Sequence, residues 1–224
     1  MQFQNLKDFK LPREFRGRSS WYVQTWWLVQ MLFFKPSPQF MYGWRRFLLR
    51  CFGAQIGKKV MIRPTAHIQF PWKLKIDEYS WIGDEVVLYN LGDITIGSHT
   101  VVSQRSYLCA GSHHHLNPDF SIYTKPIIIK NQCWLAADVF VAPGITIGEG
   151  TVVGSRSSVF KTLPAGKICF GSPAIVIKDR AAEDAGSLQV IFNPAFEPRP
   201  IEMWSDYTGA QALFTGLVSQ NPKG

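Results

Sequence analysis

What this chain has little of narrows it first. Four cysteines in 224 residues (Cys51, Cys109, Cys133 and Cys169) show neither the pairing of a disulfide framework nor the spacing of a metal knuckle. Reduced thiols in a cytosolic protein are the simplest expectation. Charged residues make up only 18% of the chain against 46% hydrophobic ones, the balance of a globular protein and not of a disordered one. The apolar run from Trp21 to Phe34 falls short of the roughly 20 residues that a membrane-spanning helix needs. The first twenty residues are polar and basic, so no cleavable signal is expected. Acid is scarce at this end: residues 1–50 hold nine Lys/Arg against Asp8 and Glu14, and so carry +7 of the net +8. No recognised nucleic-acid motif accompanies that basic flank, and nucleic acid is not an expected partner.

What the chain does have is a six-residue beat. Ile129, Leu135, Val141, Ile147, Val153 and Val159 fall at every sixth position, and Ala165, Gly171 and Ile177 keep the phase. The fifth place of each hexad is compact (Cys133, Val139, Ile145, Thr151, Ser157). Six fits neither the 3.6-residue period of a helix nor the 2-residue period of a strand. It fits a solenoid of short strands separated by tight bends, each strand burying one aliphatic against the next coil. Upstream the beat continues with two-residue slips: Ile56, Ile62, Ile68 and Leu74; then Ile82, Leu88 and Ile94; then Ile96, Val102 and Leu108. Steps such as Ile56-Gly57, Ile82-Gly83 and Ile147-Gly148 predict corners where glycine permits a tight turn.

Three parts follow: a basic aromatic flank over residues 1–55, expected to be helical; the solenoid over 56–178; and a proline-containing extension over 179–224, expected to run as a strap. The beat fails at 112–126, a polar stretch carrying His113, His114 and His115, and a loop leaving a rigid scaffold is where function is expected. The aromatic flank predicts a helix packed on the solenoid or on another subunit. Its alternative use is peripheral contact with an anionic membrane, with Arg45, Arg46 and Arg50 near the headgroups.

The hexads, Cys109-Ala110-Gly111-Ser112-His113, Trp134-Leu135-Ala136-Ala137-Asp138 and Gly171-Ser172-Pro173-Ala174 resemble the hexapeptide-repeat acyltransferases. The phrases Phe15-Arg16-Gly17, Ser37-Pro38-Gln39, Phe47-Leu48-Leu49-Arg50 and Pro71-Trp72-Lys73-Leu74 bring the likeness closer to the colanic-acid biosynthesis acetyltransferases, over about residues 12–180. The resemblance implies an all-β, left-handed parallel β-helix, a homotrimer, and acetyl-CoA held between adjacent subunits. It also implies transfer of acetyl to a hydroxyl of a sugar or polysaccharide acceptor. The cysteines and the basic aromatic flank set the expected location, the cytoplasm or the inner face of the membrane.

Carried over residue by residue, the resemblance makes His113 the general base. Ala137, Ser155, Lys161 and Lys178 become cofactor contacts, and Tyr89, Asn90 and His115 acceptor contacts. Ile175 stands where a cation is often found, which leaves Lys167 or Arg180 to replace it. Histidine suits the base because its ordinary pKa lies near ~6.5. No metal is expected: three adjacent histidines on an extended segment cannot all turn toward one ion, and His67 and His99 show no complementary spacing. Transfer to an amine or another small molecule, and a non-catalytic scaffold, remain as alternatives.

Overall fold

The computed structural model describes residues 3–12 and 14–180. The hexads wind into a parallel β-helix of three faces. The first face stacks Gln55–Ile56, Leu74–Ile76, Ile94–Ile96, Ile127–Ile129 and Thr146–Ile147. The second stacks Met61–Ile62, Trp81–Ile82, Val101–Val102, Trp134–Leu135, Val152–Val153 and Lys167–Gly171. The third stacks His67–Ile68, Val87–Tyr89, Tyr107–Cys109, Phe140–Val141 and Ser158–Val159. Most of the two-residue strands bury one side chain each. That side chain is the hexad aliphatic, so Ile62, Ile82, Val102, Leu135 and Val153 form one continuous internal column. Burial of these columns supplies the main stabilising term, since apolar area removed from water is worth roughly 25 cal/mol per Å².

The slips in the beat all lie at one edge, between the third and first faces. Leu74 and Ile76 are both buried on one three-residue strand, as are Ile94 and Ile96, then Ile127 and Ile129. The polar stretch leaves the solenoid at this same edge.

The glycines act differently from the expectation. Gly57, Gly83, Gly97 and Gly148 are not the left-handed turn residues; those are Lys59, Glu85, His99 and Gly150, two positions later. A Cβ on Gly57 would lie 2.5 Å from the Glu78 nitrogen, and one on Gly148 2.3 Å from that of Ala165. These glycines therefore let successive coils approach. The compact fifth places are buried, and where they are hydroxyls they tie coil to coil. Thr100 Oγ1 donates to the Lys130 carbonyl and Ser106 Oγ to that of Ala136.

The flank is helical, with α1 (Ser20–Val29) running through a π-helical turn, Gln30–Phe34, before α2 (Tyr42–Cys51). Ser19 caps α1 by accepting from the Tyr22 amide. The helices pack on the first coil, whose upward-facing carbonyls would otherwise form an open edge. Trp26 Nε1 donates to Ile68 O, and Gln30 Oε1 accepts from the Ile68 amide. The arginines expected near headgroups serve this cap instead. Arg45 is fully buried and donates to the Ile62, Pro38 and Gln39 carbonyls and to Ser37 Oγ. Arg46 donates to Val60 O, and Arg50 to Ile56 O and Gly57 O. At the other end, Lys167–Gly171 folds back in antiparallel pairing on Ala174–Asp179. The rest of the expected C-terminal strap, from residue 181 on, lies outside the described residues.

Candidate active site

After Tyr107–Cys109 the chain leaves the third face, makes an antiparallel hairpin of Gly111–His113 with Ile122–Thr124, and returns to the first face at Ile127. At the exit Gly111 packs closely on Leu91, where a Cβ would lie 2.8 Å from Leu91 Cδ1. Leu91 belongs to a small second core with Val23 of α1 and Phe70, against which Phe15, Trp72 and Ile122 pack. Ile122 is the register partner of His113. The N-terminal helix thus supports the hairpin from beneath. Trp72 Nε1 donates to Arg16 O and Lys73 Nζ to Phe15 O, so two of the phrases that carried the resemblance bind each other here.

His113 is half-buried and held on two sides. Its Nδ1 lies 2.8 Å from Phe120 O. A carbonyl only accepts, so the proton sits on Nδ1 and the Nε2 lone pair is left available. The Phe120 ring lies flat against the imidazole, with centroids 4.1 Å apart and planes 8° from parallel. Phe120 has φ +49°, a left-handed conformation unusual for a bulky residue. Phe9 is also near the imidazole, 6.0 Å away between centroids, on a segment tied to the loop by Asn5 N–H donating to Pro118 O.

The remaining expected site residues are distributed unevenly. His115 is exposed, and His114, also exposed, rests against Tyr123. Tyr89 is half-buried on the third face, where burial and, secondarily, Cys109 raise its phenol above the usual range. Asn90 is fully buried. Its Oδ1 accepts from the Gln69 and Phe70 amides and its Nδ2 donates to Phe70 O, which makes it a clamp between coils. That bonding gives Asn90 a structural task and leaves its amide engaged.

Ala137 and Ser155 stack in successive coils at the edge between the second and third faces, one half-buried and the other exposed. Lys161 and Lys178 are exposed. The two stand-in cations for Ile175 are both occupied: Lys167 pairs with Asp179, and Arg180 Nη1 donates to Gln132 O and Gly150 O. The hairpin leaves one edge of the coil and the Ala137–Ser155 column lines another, with the third face between them. Along that face runs an aromatic column: Tyr89 to Tyr107 at 5.9 Å, Tyr107 to Phe140 at 6.1 Å, and Phe140 to Phe160 at 5.8 Å. Burial, with smaller contributions from Cys109 and Tyr89, pushes the Tyr107 phenol up to about 12.

Phe120 and the aromatic column were missed by sequence reasoning. A signal for the column existed, since Tyr107 and Phe140 each precede a hexad aliphatic while Tyr89 and Phe160 each follow one. Phe9 carried no signal. Among the described residues no group of three or more His, Cys, Asp or Glu is placed to hold a metal ion.

No family model matches the chain. A colanic acid biosynthesis acetyltransferase, as WcaF of Escherichia coli K12 is described, is 59% identical over 177 residues, which is 79% of this chain and 97% of that protein. The chain belongs to this acetyltransferase family. The family's catalytic class follows: the protein is an acetyltransferase. Galactoside O-acetyltransferase of E. coli K12 is a more distant relative, 25% identical over 60% of this chain and 68% of its own length. Among solved structures, the hexapeptide-repeat acetyltransferase VCA0836 of Vibrio cholerae with acetyl coenzyme A has TM-score 0.67 and 23% identity, covering 79% of this chain and 96% of that one. Galactoside acetyltransferase with coenzyme A has TM-score 0.67 and 19% identity, covering 82% and 91%. These neighbours share the fold, the left-handed parallel β-helix.

Proposed function

We propose that this chain transfers acetyl from acetyl-CoA to a hydroxyl of a sugar or exopolysaccharide intermediate, with His113 as general base. One observation carries the reading: Phe120 fixes His113 from two sides and leaves Nε2 as the basic nitrogen. An alcohol is a weak nucleophile while it keeps its proton, and a positioned base is worth about 10²–10⁴-fold in rate. Nε2 accepts the hydroxyl proton as the oxygen attacks the thioester carbonyl. The C–O bond forms, the C–S bond breaks, and the proton then passes from the imidazolium to the departing CoA sulfur.

Acetyl-CoA fits the small residues at the Ala137–Ser155 edge, where the narrow pantetheine arm needs an unobstructed wall. Lys161 and Lys178 supply positive charge for its phosphates. Because the hairpin and that wall occupy different edges of one coil, we infer a homotrimer in which the base of one copy meets the wall of the next. The names of the relatives, which include colanic acid biosynthesis and galactoside O-acetylation, support a sugar acceptor. We assign Tyr89, on the aromatic column, and His115 to the acceptor side; Asn90, next to Tyr89, clamps the coil through Gln69 and Phe70.

The test is acetyl-CoA with a panel of sugar acceptors, read by mass spectrometry of the product. An acetyl ester on a sugar supports the reading, and acetylation of an amine panel in its place would redirect it. Mixing subunits of His113→Ala with those of Ala137→Phe, each inactive alone, tests the shared site. Activity returning on mixing supports it, and persistent inactivity in a mixed trimer overturns it.

A further inference from the structure

We propose that the outer face of the helical cap docks on an anionic lipid surface. The inner side of α1 and the π-helical turn buries Val23, Trp26, Gln30 and Phe34 against the solenoid. The opposite side carries Trp21, Leu28, Met31 and Leu32, each at least half exposed, with Trp21 at 84%. Phe40, in the link to α2, is 80% exposed. Trp44 joins the two helices into one surface: its indole N–H donates to Phe33 O and its ring stacks on Phe47, and both phenylalanines are exposed. A globular monomer rarely displays so many large apolar groups on one element without a partner.

Charge selects the partner. From Phe15 to Ile76 the sequence holds eleven Lys/Arg and no Asp or Glu. Three of these cations, Arg45, Arg46 and Arg50, are engaged in holding the cap to the first coil. Lys35, which follows the apolar stripe, and Lys58 and Lys59 on the first coil are exposed. Exposed tryptophan, phenylalanine and leucine with Lys35 next to them, on a helical segment whose own sequence carries no acid, is the chemistry of an interfacial helix seated among acidic headgroups. A second copy of this chain would bring the same positive charge against itself, which disfavours it as the occupant. No helix among the described residues is long and apolar enough to cross a membrane, so the contact is peripheral.

The experiment is co-sedimentation of the full chain with vesicles of phosphatidylcholine alone or mixed with phosphatidylglycerol, in low and high salt. Wild type is expected to sediment with the mixed vesicles in low salt and to be released by salt. The triple substitution Trp21→Ser, Leu32→Ser, Phe40→Ser touches no side chain of the candidate active site and is expected to weaken vesicle binding roughly tenfold or more. Its circular dichroism and oligomeric size should match wild type. Equal sedimentation of wild type with both vesicle types, or of variant and wild type, overturns the proposal. So does a smaller oligomer for the variant without vesicles, which would assign the face to a second copy. Neither readout depends on acetyl transfer.

Discussion

His113 Nδ1 donates to the carbonyl of Phe120, and the ring of that same phenylalanine lies flat on the imidazole. One residue thus sets both the tautomer and the plane of the base, and it does so from a left-handed backbone conformation. Phe120→Gly relaxes the backbone and keeps the carbonyl but removes the ring. The expected result is a fall in kcat of up to roughly a hundredfold with KM for acetyl-CoA little changed, since a small misplacement of a catalytic group is costly. A purely structural residue would move stability and KM as well, so a kcat–KM split with an unchanged melting curve is the distinguishing readout.

Cys109 lies four residues before His113 and donates through Sγ to Gly111 O. Burial raises its thiol above the usual range, with the Gly111 contact only partly offsetting. A thiol raised in this way is protonated near neutrality and is a poor nucleophile. Cys109→Ala is therefore expected to keep its activity, and steady-state kinetics check this. Complete loss in a folded variant would argue for an acyl-enzyme.

Arg45 is expected to matter for stability and not for chemistry. It donates to three carbonyls and a hydroxyl from a fully buried position. Arg45→Ala leaves those acceptors unsatisfied, at a cost of about 3 kcal/mol or more. Urea unfolding measures it. A loss within about 0.5 kcal/mol, the range of ordinary surface substitutions, would contradict the role of the cap.

His67 gives a pH dependence. Its ring contacts Gln30 and Gln69, and burial lowers its pKa, partly offset by the hydrogen bond with Gln69, while Lys35 adds a lesser lowering contribution. The folded state thus binds this proton less readily than the unfolded state, whose histidine titrates near ~6.5. Its stabilising contribution is present above that value and is lost as pH falls through the lower folded value. Melting temperature is expected to drop as pH falls below about 6.5, and less steeply in His67→Gln. Identical slopes would remove His67 as a source of the effect.

The solenoid was legible because its core repeats: a branched aliphatic every six residues fits stacked short strands and neither a helix nor a single strand, and each anchor from Ile56 to Val159 is buried. The role of the glycines was not, because a close coil contact and a positive φ leave the same mark in sequence. His113 was singled out by its phrase, while its partner Phe120 lies across a hairpin whose register no local pattern announces. Asn90 was drawn toward the acceptor by its neighbourhood, yet its burial depends on coil stacking. The arginines of α2 looked like surface charge until the open carbonyls of the first coil were placed beneath them.

The most direct measurement is release of free CoA from acetyl-CoA in the presence of sugar acceptors, with wild type and His113→Ala side by side and matched for oligomeric size. Acceptor-dependent release by wild type, reduced about 10²–10⁴-fold in the variant, is the predicted result. Equal release by both proteins would contradict it and place the base elsewhere.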